Sequence, residues 1–211
     1  MVGDGDVAAA VAAVRAGRPV LLPADGVYGL CASAFREAPV RRLYELKGRG
    51  EAQPTAMIAS SVDMLLECVP ELRGRGAALV RALLPGPYTL VLPNPARRFP
   101  WLTGGTPDKL GVRVPVLPEP ARAAIAAVTA VLATSANDPG GPSPVRLEDV
   151  PERIRAGVGA ELDLGPLPGT PSTVLDLTGA EPVVLREGAV SAAEALSTIR
   201  AWRSRTRPSS S

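Results

Sequence analysis

The sequence contains no histidine, and that absence removes more chemistry than any other feature of it. Without imidazole there is no Ser-His-Asp or Cys-His arrangement, no ordinary base titrating near neutrality, and few routes to a catalytic zinc site. Any reaction must run on cations, hydroxyls, amides and backbone dipoles, which favours charge stabilisation and placement over proton shuttling. Cysteine is scarce as well. Cys31 and Cys68 stand far apart with no CxxC and no zinc spacing, so they read as buried thiols in a reducing cytosol rather than a disulfide framework or a metal site. Neither GK[ST] nor GxGxxG occurs, which leaves out the common phosphate loops. A dominant charge is missing too: Lys+Arg 23 against Asp+Glu 21 leaves +2, too weak a bias to mark a nucleic-acid binder. The N-terminal "MVGDGDVAAAVAAVRAGRP" carries acids where a secretory leader needs bases, and its apolar stretch is too short to span a bilayer. A cytoplasmic protein with no membrane partner is expected.

What is present fills a core. The 211 residues are 46% apolar, enough for one large domain. Asp4 or Asp6 can cap a helix running to about Arg15, ended by Gly17. "RPVLLP" reads as a buried strand. Val40, Leu43, Tyr44 and Leu46 share one face of a helix over about 37–46. "TAMIAS", "YTLVLP", "LGVRVPV", "AVLATSAN", "PSTVLDLT" and "EPVVLREG" read as strands. "VDMLLECV", "GAALVRALL", "EPARAAIAAV", "LEDVPERIRAG" and "SAAEALSTIRAWR" read as helices, the last capped by Ser191 with Glu194 completing a capping box. Residues 94–109 hold Pro, Gly, Arg and Trp101 without a period, which predicts a long surface loop of the kind that carries function. Alternating elements without a composition break predict one α/β domain with a twisted mixed sheet over residues 1–203, followed by a disordered tail, 204–211.

Polar side chains gather at the ends of these elements. Lys47 and Arg49 in "LKGRG" lie two apart; in an extended turn both can reach one anion, one as a point charge and one as a bidentate fork. They can equally complement the dipole of the helix they close. Arg113 points opposite to Val112 and Val114 by strand alternation, toward either solvent or a pocket. Thr134, Ser135 and Asn137 lead into "DPGGPS", a glycine-rich turn able to offer hydroxyls, an amide and free N–H groups to an anion. Arg186 ends another strand. Ligand sites in open α/β sheets gather at strand ends, so these segments can converge on one cleft.

Taken in order, "PVLLPADGVYGL", "LYELKGRGEAQP", "LLPGPYTLVL", "GVRVP", "ATSANDPGGPSP", "PSTVLDL" and "VVLREGAV" resemble the successive signatures of the YrdC/TsaC family, the threonylcarbamoyl-AMP synthases, over about 14–195. The resemblance implies a single α/β domain folded around a deep, positively charged cavity. It implies condensation of L-threonine, bicarbonate and ATP, the last with Mg²⁺ that the protein itself does not hold, to threonylcarbamoyl-AMP and pyrophosphate. A separate transferase complex would then move the group to tRNA. The family's catalytic KxR and SxN pairs match Lys47, Arg49, Ser135 and Asn137. Arg49, Gln53, Ser135, Ser143 and Arg186 fall where ATP is expected; Gly26, Arg113, Ala133 and Ser172 fall around the amino acid.

Four positions depart from the family's pattern. Ala24 and Gly26 stand where threonines are usual, so Gly26 is expected to remove a polar contact and open space beside the amino acid. Ile58 stands where many members have histidine. Lys109 replaces a frequent threonine and is expected to add a cation near the nucleotide. The phosphate half thus reads as intact and the amino-acid half as edited, which leaves a related amine as an alternative to threonine. A non-catalytic nucleotide- or RNA-binding paralogue is the rival reading, although a net charge of +2 argues against tight tRNA binding.

Overall fold

The computed structural model describes residues 3–50 and 52–206. Its helices are α1 (Asp4–Arg15), α2 (Glu37–Lys47), α3 (Val62–Cys68), α4 (Arg75–Leu83), α5 (Pro100–Thr103), α6 (Glu119–Ala127), α7 (Glu152–Arg155) and α8 (Ala192–Thr206). Its strands are β1 (Val20–Ala24), β2 (Val27–Ser33), β3 (Ala56–Ala59), β4 (Tyr88–Pro93), β5 (Lys109–Arg113), β6 (Ala130–Ser135), β7 (Thr173–Asp176) and β8 (Val183–Arg186). They form one sheet in the order β1-β2-β6-β3-β5-β4-β7-β8. The β3/β5 and β4/β7 pairs are parallel and the others antiparallel, the mixed α/β architecture expected.

β2 is the strand missing from the sequence reading. Asp25 and Gly26 alone join it to β1, with φ of 62° and 84° and Ala24 opposite Val27. Positive φ at both turn residues is the tight hairpin geometry that Asp-Gly favours. Both faces of β2 are covered, so "VYGLCAS" lacks the alternation that announces a half-exposed strand.

Other expectations shift for local reasons. Gly3 caps α1, and the Asp6 carboxylate accepts from the Gly3 N–H at 2.9 Å; neither aspartate is the cap. "LEDVPERIRAG" is not one helix. It divides into a 3₁₀ turn, Leu147–Asp149, and α7, because Pro151 disfavours the helical conformation at Val150, which lies at φ −72°, ψ 127°. Residues 94–109 include α5, and Lys109 opens β5. Asn94 is 2% exposed, so the segment is anchored rather than purely superficial. Ser191 does cap α8, accepting from Glu194 N at 3.3 Å. That helix continues to Thr206, into the expected tail; 207–211 lie outside the described residues.

The sheet has an apolar layer on each side. Ala10, Ala13 and Val14 of α1 and Ala121 and Ile125 of α6 cover Val20, Leu22, Cys31, Ile58 and Val131. On the other face Val40 and Leu43 of α2, Leu65 of α3, Val80 of α4 and Ile199 of α8 cover Leu30, Met57, Leu90 and Leu132. Fully burying each such branched side chain contributes about 1.5–3 kcal/mol. Both cysteines are buried free thiols, and burial pushes Cys31 up to about 12, which leaves it an inert core residue. Among the described residues no helix is long and apolar enough to cross a membrane.

Candidate active site

The α1/α6 layer covers only part of its sheet face. In β2 Cys31 lies under the helices, and two residues back Gly29 lines a cavity; Ile58 and Ala56 of β3 stand in the same relation. The cavity holds about 570 Å³. Its floor stays open because the strands place small residues there: Ala24, Gly29, Ala56, Gly111 and Ala133. A Cβ at Gly29 would lie 2.7 Å from the Ala24 Cβ, so glycine is what lets the hairpin strands approach at this point. The wall begun by "PADGVYGL" encloses this hollow.

Among the described residues four cations line it, Arg49, Lys109, Arg113 and Arg186, against two carboxylates, Asp25 and Asp176. Arg49 follows the left-handed Gly48 that ends α2. Its guanidinium donates to Thr134 Oγ1 at 3.2 Å and to the Pro54 carbonyl at 2.7 Å, 5.9 Å from the Tyr44 ring centroid. Arg113 reaches Asp25 Oδ2 at 3.4 Å. The Nε atoms of both arginines are buried without a partner among the described residues. Burial, above all, lowers the pKa of each; Arg186 adds to this at Arg113 while Asp25 opposes it. An arginine stays protonated regardless, so the consequence is a pair of under-served cations for which an anion supplies the missing interaction. Arg186 Nη2 donates to the Ser172 carbonyl at 2.7 Å.

Lys109 lines the cavity as expected, but its charge is spent: Nζ lies 2.8 Å from Asp176 Oδ2. The hydrogen bond to Asp176 raises the lysine. At Asp176 burial pushes upward, yet hydrogen bonds from Lys109 and Thr178 hold the carboxyl below its usual range.

Of the residues singled out in the sequence, Arg49, Arg113, Ala133, Ser135, Ser143 and Arg186 line the cavity. Lys47 and Asn137 stand immediately behind it. Lys47 is 5% exposed, and its ammonium donates to the Ser135 carbonyl at 2.5 Å, the Asn137 carbonyl at 2.5 Å and Asn137 Oδ1 at 2.7 Å. All three donors are used: the lysine clamps the turn that presents Ser135, while Arg49 lines the cavity. Burial, then the charge of Arg49, pulls Lys47 down to about 8. Asn137 also accepts from Ser135 Oγ at 2.5 Å and donates to the Gly141 carbonyl at 2.5 Å.

Four residues lie elsewhere. Gln53 is exposed in the turn before β3 and outside the lining. Ser172 is wholly buried, sharing a 2.7 Å hydroxyl contact with Thr89, which does face the cavity. Gly26 opens no space: a Cβ there would meet the Thr170 carbonyl oxygen at 2.5 Å, so a turn against a neighbouring strand connection, rather than an edited pocket, accounts for this glycine. Ile58 is a core residue under α6. The sequence reading gave no role to Asp25, Thr89 or Asp176. Their partners lie 88, 83 and 67 positions away, and the only local signal was the Asp-Gly turn.

The Sua5/YciO/YrdC family model, described as "Telomere recombination", matches residues 12–188. A "Putative threonylcarbamoyl-AMP synthase" of Mycobacterium tuberculosis is 35% identical over 186 residues, covering 88% of this chain and 85% of that protein. The "Threonylcarbamoyl-AMP synthase" of Pyrococcus abyssi is 35% identical over 83% of this chain and 52% of that protein. The structure of P. abyssi Sua5 complexed with L-threonine superposes with a TM-score of 0.84 at 33% identity, covering 94% of this chain and 58% of that one; this chain therefore spans little more than half of the P. abyssi protein. E. coli YciO superposes with a TM-score of 0.74 at 25% identity, over 88% and 90% of the two chains. The matched span runs from α1 to the end of β8 and takes in every cavity-lining cation, and the chain belongs to the Sua5/YciO/YrdC family.

Proposed function

We propose that this protein is a threonylcarbamoyl-AMP synthase, an enzyme of the nucleotidyltransferase type. It condenses L-threonine, or a related amine, with bicarbonate and ATP. The observation that carries this reading is the cavity itself, where two partly buried arginines, their buried Nε atoms without a partner among the described residues, line a hollow large enough for a nucleotide and an amino acid. The names of its relatives and the L-threonine complex of P. abyssi Sua5 support the choice of amine.

The chemistry suits a site without histidine. The amine takes up bicarbonate to give an N-carboxylate and water. A carbamate oxygen then attacks the α-phosphorus of ATP, an O–P bond forms, the bond to the β-phosphate oxygen breaks, and pyrophosphate leaves with that electron pair. Anion meets anion, so the barrier is charge and placement. Arg49 and Ser135, with Ser143 beside them, serve the phosphates; Arg113 takes the amino-acid carboxylate. Lys47 and Asn137 hold Ser135 in position. Both lining carboxylates are engaged by cations, so Mg²⁺ enters held by the triphosphate, where it spreads phosphate charge. The product would feed a transferase that modifies tRNA. The rival, non-catalytic reading drew on Ala24 and Gly26, and Gly26 is accounted for by its turn.

The test is pyrophosphate release from ATP across an amino-acid panel, with bicarbonate supplied and withheld. Release that needs both an amino acid and bicarbonate supports the reading; no release with any amino acid at saturating ATP refutes it.

A further inference from the structure

On the surface, a second side chain joins the two halves of the site that Lys47 clamps from within. Arg153 of α7 sits on the surface. Its Nη1 donates to the Leu46 carbonyl at 2.5 Å, and its Nη2 pairs with Asp138. These partners belong to the segments that matter: Leu46 precedes Lys47 and Arg49, and Asp138 follows Asn137. The helix end explains the contact. At the close of α2, Gly48 N takes the Glu45 carbonyl and Arg49 N takes the Tyr44 carbonyl. Helix ends leave several carbonyls without intrahelical partners, and Arg153 supplies the one for Leu46. The same junction is held apolarly, since a Cβ at Gly157 would lie 2.5 Å from Leu46 Cδ1. From inside, Lys47 takes the Ser135 and Asn137 carbonyls.

We propose that Arg153 is a positioning residue of the reaction, one guanidinium that fixes the α2 end bearing Lys47 and Arg49 against the β6 turn bearing Ser135 and Asn137. This rests on the functional reading above. Arg153 and Asp138 are half-exposed, and exposed ion pairs contribute little to stability. Losing this one leaves the protein folded but lets the two halves drift, and a misplacement of about 1 Å costs on the order of 100-fold in rate.

The electrostatics offer a signature that a purely structural contact lacks. The charges acting on Lys47 come from Arg49 on the following loop, Asp138 on the β6 turn and Arg153 on α7; both arginines lower its pKa and Asp138 raises it. Arg153→Met and Asp138→Asn break the same ion pair with opposite effects on Lys47. In the pyrophosphate assay, Arg153→Met lowers kcat about 10-fold or more while KM for the amino acid stays within about two-fold. Arg153→Lys, whose single ammonium cannot fork between both partners, restores part of it. The alkaline limb of the rate profile moves up in Arg153→Met and down in Asp138→Asn. ATP titration calorimetry on the same variants reads the brace without turnover, with weaker binding expected for Arg153→Met. The wild-type rate tests the functional reading separately. Wild-type kcat and ATP affinity in Arg153→Met, or alkaline limbs that move the same way in the two variants, overturn the proposal.

Discussion

Arg49 is the residue on which the phosphate half turns, because it lines the cavity partly buried, with its buried Nε unmatched among the described residues. Arg49→Ala should lower pyrophosphate release about 100-fold or more, the usual cost of removing one electrostatic donor to a transition state, with an unchanged circular-dichroism spectrum. Near-normal turnover would remove Arg49 from the site. Lys47 makes a prediction in pH. Its folded-state pKa is about 8 against an ordinary 10.5, so between those values the unfolded chain binds the proton that the folded chain has released. The Lys47 contribution to stability therefore rises with pH across that window, while activity declines above about pH 8 as one of its three donors is lost. Denaturant titrations and rate profiles over pH 7–10 should show the two trends running in opposite directions, and Lys47→Met should abolish the alkaline limb. Gly26 gives a third. Gly26→Thr places a side chain at φ 84° and against a carbonyl, so it should cost about 1–3 kcal/mol in thermal denaturation without improving selection of threonine.

Among elements, the segment between β4 and β5 is pinned across its base by the Asn94 side chain. Asn94 Nδ2 donates to the Arg98 and Pro107 carbonyls at 2.9 and 3.0 Å, and its Oδ1 accepts from Arg98 N at 2.9 Å. Asn94→Ala would leave those groups unmatched and should destabilise the fold by about 1–3 kcal/mol, measurable by urea denaturation. It should also raise KM for ATP, since Thr106 and Lys109 at the end of this segment line the cavity. How much was legible follows from the kind of signal each element carries. Helices with one apolar stripe, such as α2, and caps such as Ser191 are local patterns. β2 is not, being buried on both sides and joined by a two-residue turn. The 3₁₀ turn and α7 read as one helix in "LEDVPERIRAG", and Pro151, which lacks an N–H and pushes Val150 out of the helical region, divides them.

At the scale of the whole molecule, two apolar layers of unequal extent leave one sheet face partly bare, and the bare part becomes the cavity. The cations that converge there were visible as residue types at strand ends. Their convergence depends on strand order, which no local pattern states, and so do the pairs Arg113–Asp25 and Lys109–Asp176 that offset half of the lining charge. The withdrawal of Lys47 behind Ser135 was hidden for the same reason: its acceptors lie 88 and 90 positions away. With Lys109 and Arg113 paired, the lining keeps a net positive charge carried chiefly by Arg49 and Arg186, so substrate anions meet a few placed guanidinium groups rather than a broadly positive surface. The most direct measurement is pyrophosphate release by the wild-type chain with ATP, L-threonine and bicarbonate, each omitted in turn. The account predicts release only when all three are present; release that persists without bicarbonate, or none under any combination, would contradict it.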